Sequence, residues 1–184
     1  MKMRSLIATL LLIGLTGVSA RAQTSCSPPA PPFFSVKGEV RTPKWVDVPA
    51  LQQLPHVNQD VTFFAAGQVE NETFTGALLW DLLQSVGIIT DPTIKNDILR
   101  KTIVVTGTDG YVAVFTAGEI DPGFGGNQIL VAYAVNGQAL GCGGPAQIVA
   151  PGDKAGGRFV HNIATIVVKD GDHGDHGRTT ASSE

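Results

Sequence analysis

The stretch from residue 129 to 168, ILVAYAVNGQALGCGGPAQIVAPGDKAGGRFVHNIATIVV, constrains the fold more than any other part of the chain. Two apolar runs, residues 129–135 and 159–168, are dominated by valine and isoleucine and read as strands. Between them lie Gly141, Gly143, Gly144, Gly152, Gly156 and Gly157. A glycine costs about 1 kcal/mol inside a regular element. So many of them belong where the backbone turns tightly, takes φ > 0 or approaches a ligand closely. The spacing predicts two glycine-rich loops, around Cys142 and around residues 153–157, at one rim of a sheet. Plain hairpin turns would carry the same glycines.

The chain has 184 residues, enough for one domain with a proper core. Its start reads as a leader. Lys2 and Arg4 precede an apolar run at residues 6–18, and Ala20-Arg21-Ala22 fits a small-x-small cleavage site. The run is short for a membrane span, there is no twin-arginine pair, and the residues before Cys26 lack the apolar residue of a lipoprotein signal. Residues 1–22 are expected to be a signal peptide cut near Ala22, residues 23–32 a Pro-rich linker, residues 33–169 the domain and residues 170–184 a disordered tail. The expected product is periplasmic or secreted, with no transmembrane segment in the mature chain. Loss of Lys2, Arg4 and Arg21 from 13 basic residues leaves 10 against 16 acidic ones, a formal charge of −6. That excludes nucleic acid and anionic membrane surfaces as natural partners. Two cysteines, Cys26 and Cys142, permit one disulfide in an oxidising compartment or remain two thiols.

Along the chain, residues 33–40 read as a first strand, followed by a turn at Thr42-Pro43. Asp47 can cap a short helix with Pro49 in its first turn, ending before Pro55. Residues 60–66 alternate as a strand, and residues 68–73 form a polar loop or hairpin that includes the sequon Asn71-Glu72-Thr73. After Gly76, the residues Leu78, Leu79, Leu82, Leu83 and Val86 recur at helical spacing, and Gly87 stops the helix. Trp80 lies off that stripe, at a boundary. Residues 88–101 are an irregular connection with a helical turn near 94–99. Residues 102–106 and 111–115 flank Thr108-Asp109-Gly110, a hairpin signal, and Asn136-Gly137 is another. Residues 117–120 make one helical turn, and residues 122–126 a glycine-rich loop. Many strands, one solid helix and several short ones define an α+β domain, mostly β, with mixed sheets.

No nucleophile elbow, Walker loop, dinucleotide fingerprint, Cys-x-x-Cys or His-x-x-x-His occurs in residues 23–184. His56 reads as a loop residue. His173 and His176 stand three apart in the tail, a weak metal pair without preorganisation. His161 lies beside Arg158 at the exit of a glycine loop. The pair can hold an anion or a polar heterocycle, or form a solvated strand end.

The order of marks from residue 33 to 168 resembles the molybdopterin-binding domain of the sulfite oxidase family. The marks are Gly38-Glu39-Val40, Phe74-Thr75-Gly76 before the leucine-rich helix, Asp109-Gly110-Tyr111, Tyr133 with Asn136-Gly137 and Leu140, Gly144-Pro145 with Ile148-Val149 and Pro151, and the run from Gly156 to Ile166. The resemblance implies an oxidoreductase fold whose metal is ligated by a cysteine in the loop after the strand at residues 61–65. Ala65 stands at that place, and alanine has no lone pair for a metal. Where the family offers asparagine and arginine around Gly144-Pro145, this chain has Cys142, Gly143 and Gln147. Gln147 cannot supply the cationic fork that a phosphate favours. Arg158, Phe159, Val160 and His161 match the family's pterin and phosphate cradle.

The resemblance therefore points to two functions. The first is a non-catalytic, exported protein that binds a pterin or related heterocycle, like small stand-alone members of the family that regulate membrane signalling enzymes. Such a ligand needs a flat apolar slot and hydrogen-bonding groups. Phe159, Tyr111 or Phe124 are the candidate stacking faces, and Asp109, Glu119, Asp121 or Asp153 the candidate carboxylates. A general secretory leader passes an unfolded chain, which suits a ligand acquired after export better than a buried molybdenum cofactor inserted beforehand. The second function is a molybdenum-dependent oxidoreductase in which Cys142 replaces the missing ligand.

Overall fold

The computed structural model describes residues 31–171. The expected leader, almost all of the linker, and His173 and His176 lie outside the described residues.

Two sheets share one apolar core. The first contains β1 (Phe33–Gly38), β2 (Lys44–Asp47), β5 (Lys101–Gly107), β6 (Val112–Thr116) and β10 (Ile163–Asp170), in the order β2-β1-β10-β5-β6. β1 and β10 run parallel and the other pairs antiparallel. The second contains β3 (His56–Ala65), β4 (Gln68–Leu78), β7 (Leu130–Val135) and β8 (Gln138–Ala139), with β9 (Gln147–Val149) also on β7. The two valine-rich runs thus belong to different sheets, and the glycine-rich stretch between them carries the chain from one sheet to the other.

Alternation explains the first sheet. Phe34, Val36, Ile103, Val105, Phe115 and Ile166 are buried, and each alternates along its strand with a more exposed residue or backs onto one across the sheet. Lys101 is only 3% exposed; its ammonium bonds to Asp170 and pairs with Asp97 at 3.3 Å, fastening the end of β10 to the start of β5. Burial works against that charge, but the two carboxylates outweigh it and raise the lysine's pKa.

The helices follow their caps. Asp47 accepts from the Ala50 N–H to start α1 (Val48–Gln52). α2 (Leu79–Val86) buries Leu79, Leu82, Leu83 and Val86, and Gly87 closes it at φ 69°. Thr116 and Glu119 form a capping box around α3 (Ala117–Ile120). No helix among the described residues is long and apolar enough to cross a membrane.

Several elements differ from expectation. The strand β2 was not read at all, and β3 starts at His56 rather than at residue 60, so His56 lies in a strand and not in a loop. Residues 68–73, read as a polar loop or hairpin, are part of the 11-residue strand β4. Its polar side chains sit on a hairpin arm where they bond across to β3, as Thr73 does to Asp60 and Thr62 to Asn71. β9 is too short to show a period. β10 starts at Ile163, not at residue 159, because Asn162 takes φ 47° and breaks the strand. Phe159 and Val160 are buried in loop conformation, and a short apolar run looks the same in either state.

Candidate functional site

The β3–β4 hairpin builds one side of the site. Ala66 and Gly67 both have positive φ, 49° and 86°, the two-residue turn that matches strand twist. Across from it, the loop before β10 lies against β3. The Phe64 N–H donates to the Lys154 carbonyl at 3.0 Å, and Phe64 bridges Ala155. β9 closes the third side through its pairing of Gln147 with Ala132 on β7.

These three pieces line an open cavity of about 300 Å³. Its walls are Phe63, Phe64, Phe74 and Phe159, and its backbone-rich side is Ala155, Gly156 and Gly157, with Ala65 at the strand end. Phe63 and Phe159 pack with ring centroids 4.6 Å apart and a 43° tilt, and Phe74 meets Phe159 edge-on at 6.2 Å. Gly156 widens this space. A Cβ there would stand 3.2 Å from the Phe63 ring.

Three polar side chains complete the lining: Gln147, Glu72 and His161. Gln147 is only 4% exposed, yet its amide has no hydrogen-bond partner among the described residues and is turned to the cavity. Gly143 flanks its carbonyl oxygen; a Cβ on Gly143 would lie 3.8 Å from it. Glu72 is partly buried and His161 exposed, and neither side chain has a partner among the described residues.

Of the candidate residues, the cavity therefore gathers Ala65, Gln147, Phe159 and His161. The others lie elsewhere. Asp109 accepts from the Tyr111 N–H within its turn, and the Tyr111 hydroxyl donates to the Gly157 carbonyl, holding the glycine loop from behind. Val160 is fully buried, and its carbonyl accepts from the Ile148 N–H. Gly143 accepts from the Asn162 N–H at 2.8 Å. Phe124 is half exposed and away from the cavity, and Asp121 caps the Gly123 N–H. Glu72, Phe63 and Phe74 are the residues that sequence reasoning missed. The two phenylalanines read as ordinary strand core, and Glu72 as part of a polar loop.

Arg158 faces away from the cavity. Its Nε and Nη2 donate to both oxygens of Asp153 at 2.8 and 2.7 Å, and Nη1 donates to Glu119 at 2.8 Å. The guanidinium also lies 4.9 Å over the Phe115 ring. The Asp153 bonds, then Glu119, hold its pKa well above the ordinary arginine value despite partial burial. Arg158 ends a 3-10 turn at Gly156–Arg158 and is not in β10. The carboxylates Glu119 and Asp153 are thereby engaged as well.

Cys142 lies in a 3-10 turn, Gly141–Gly143, outside the cavity lining. It is disulfide-bonded. The only other cysteine of the sequence, Cys26, lies outside the described residues. The lining offers no thiolate, and no group of three or more His, Cys, Asp or Glu among the described residues is placed to hold a metal. The cavity lining among the described residues holds neither cysteine nor arginine.

Among solved structures, the fold is similar to the sulfane dehydrogenase SoxCD from Paracoccus pantotrophus, with a TM-score of 0.61 and 19% identity over 75% of this chain. The match takes in 38% of that protein's chain, so the present chain spans well under half of its length. No curated protein matches the sequence. The family model for the oxidoreductase molybdopterin-binding domain matches residues 32–176. That range holds both sheets, the cavity and every mark on which the resemblance rested, and the chain belongs to the oxidoreductase molybdopterin-binding domain family.

Proposed function

We propose that this protein is an exported, non-catalytic binder of a pterin or related heterocycle, serving in sensing or regulation with a membrane signalling protein as its partner. Gln147 carries the proposal. Its amide lines an aromatic cavity and has no side-chain hydrogen-bond partner among the described residues. A ligand that brings its own donor and acceptor gains hydrogen bonds there without breaking any within the protein. A carboxamide offers one carbonyl and one NH₂ side by side, which complements the lactam or amidine edge of such a ring. The cavity, about 300 Å³, is at the small end of ligand pockets, about 300–1,000 Å³, and suits a ring system with a short substituent.

Family membership favours a second reading, a molybdenum-cofactor-dependent oxidoreductase with a diverged metal site. That reading needs a sulfur ligand. Cys142 is the one cysteine among the described residues, and a sulfur held in a disulfide has no thiolate to give. Elemental analysis of protein made in a molybdenum-replete host separates the two. Stoichiometric molybdenum, lost in Cys142→Ser, would establish the second reading. The first is tested by the absorbance and fluorescence of the protein as purified, followed by calorimetry with neopterin. A pterin spectrum or saturable binding supports it, and no binding up to millimolar neopterin would sink it.

A further inference from the structure

The charges around the cavity have the opposite balance to a phosphate cradle. Arg158 does not line the cavity, and it is matched by two carboxylates, Asp153 and Glu119, so that the trio carries a net −1. The β3–β4 hairpin contributes Asp60, Glu70 and Glu72 and no lysine or arginine. Lys154 is exposed on the neighbouring loop and does not line the cavity. Of the three hairpin carboxylates, only Glu72 lines it, partly buried and without a partner among the described residues. A carboxylate so placed accepts N–H groups from a ring edge or pairs with a cationic substituent. It repels an anion, and the apolar walls beside it screen that repulsion less than water would.

We propose that the cavity is a charge filter that admits an uncharged or cationic heterocycle and turns away its phosphate esters, with Glu72 as the specificity-determining residue. This inference rests on the heterocycle-binding reading above. It implies that the protein monitors the dephosphorylated form of its ligand, so a phosphate-ester hydrolysis must precede binding whenever the ligand is made as a phosphate.

The test is calorimetry of the secreted protein at low salt with two probes, neopterin and neopterin monophosphate. Neopterin is expected to bind about tenfold more tightly, the size of one like-charge repulsion at a partly exposed site. In Glu72→Gln that gap should narrow severalfold. Added salt should also narrow it in the wild type, by screening the repulsion, which gives a readout independent of any variant. Equal or tighter binding of the monophosphate would overturn the filter while leaving the heterocycle reading intact, as would a gap that neither Glu72→Gln nor salt changes. Binding of neither probe would overturn both.

Discussion

Arg158 and Phe159 are neighbours in sequence and enter two opposite environments. On the Arg158 side, every polar group is matched: one guanidinium, two carboxylates and an aromatic face, with donor–acceptor distances of 2.7–2.8 Å. On the Phe159 side, the polar groups Gln147, Glu72 and His161 face a cavity and have no partner among the described residues. A closed set of charges stabilises a fold and leaves nothing over for a ligand. An open set faces solvent and leaves its hydrogen-bonding capacity to a ligand. The comparison teaches that the residue types most suggestive of binding, an arginine beside carboxylates, here hold the wall of the cavity, and a neutral amide faces its interior.

Removing the arginine should have the largest effect. Arg158→Ala strips three charge-assisted hydrogen bonds and leaves Asp153 and Glu119 facing each other. With the guanidinium 34% exposed, solvent discounts the loss, and about 2 kcal/mol is expected, read as a fall of several degrees in thermal melting. An unchanged melting temperature would mean that the corner is not closed in solution.

The matched substitution on the other side should behave oppositely. Gln147→Leu removes an amide that has no partner among the described residues and keeps the volume similar. Melting of the ligand-free protein should stay level or rise, by up to about 1 kcal/mol. A marked loss of stability would show that the amide is paired within the protein, and the contrast between the regions would collapse.

Gly156→Ala sharpens the geometry. Its Cβ would approach the Phe63 ring to 3.2 Å, narrowing the cavity while leaving the arginine corner intact. Neopterin affinity should fall severalfold with melting changed by less than about 0.5 kcal/mol. The smallest effect is expected for Glu119→Gln. It retains a neutral hydrogen bond to Arg158, whose bidentate contact with Asp153 persists, so melting should fall by only about 0.5 kcal/mol.

Local chemistry made much of the fold legible. The Asp109-Gly110 turn and its flanking strands β5 and β6, the leucine stripe of α2 with Gly87 after it, and the Asp47 cap all depend on neighbours within a few residues. The polar arm of β4 was not legible, because its strand state comes from cross-strand partners such as Asn58 and Asp60 rather than from its own composition. The same limit applies to the site. Ala65, Gln147, Phe159 and His161 were found through the order of family marks. Glu72 carried no mark, and the engagement of Arg158 depends on Glu119, 39 residues away, which no local pattern encodes. His161 and Arg158 do not act as the pair that their closeness in sequence suggested: Arg158 ends its 3-10 turn bonded to Asp153 and Glu119, while His161 lines the cavity.

The central claim is that Gln147 completes its hydrogen bonding through a bound heterocycle. Its most direct test is a pair of calorimetric titrations, neopterin into wild type and into Gln147→Leu, with both proteins shown to be folded by their melting curves. Saturable binding by the wild type, weakened more than about tenfold in the variant, is the expected result. Equal affinity in the two proteins would contradict the account, because the cavity would then hold its ligand without the amide on which the account rests.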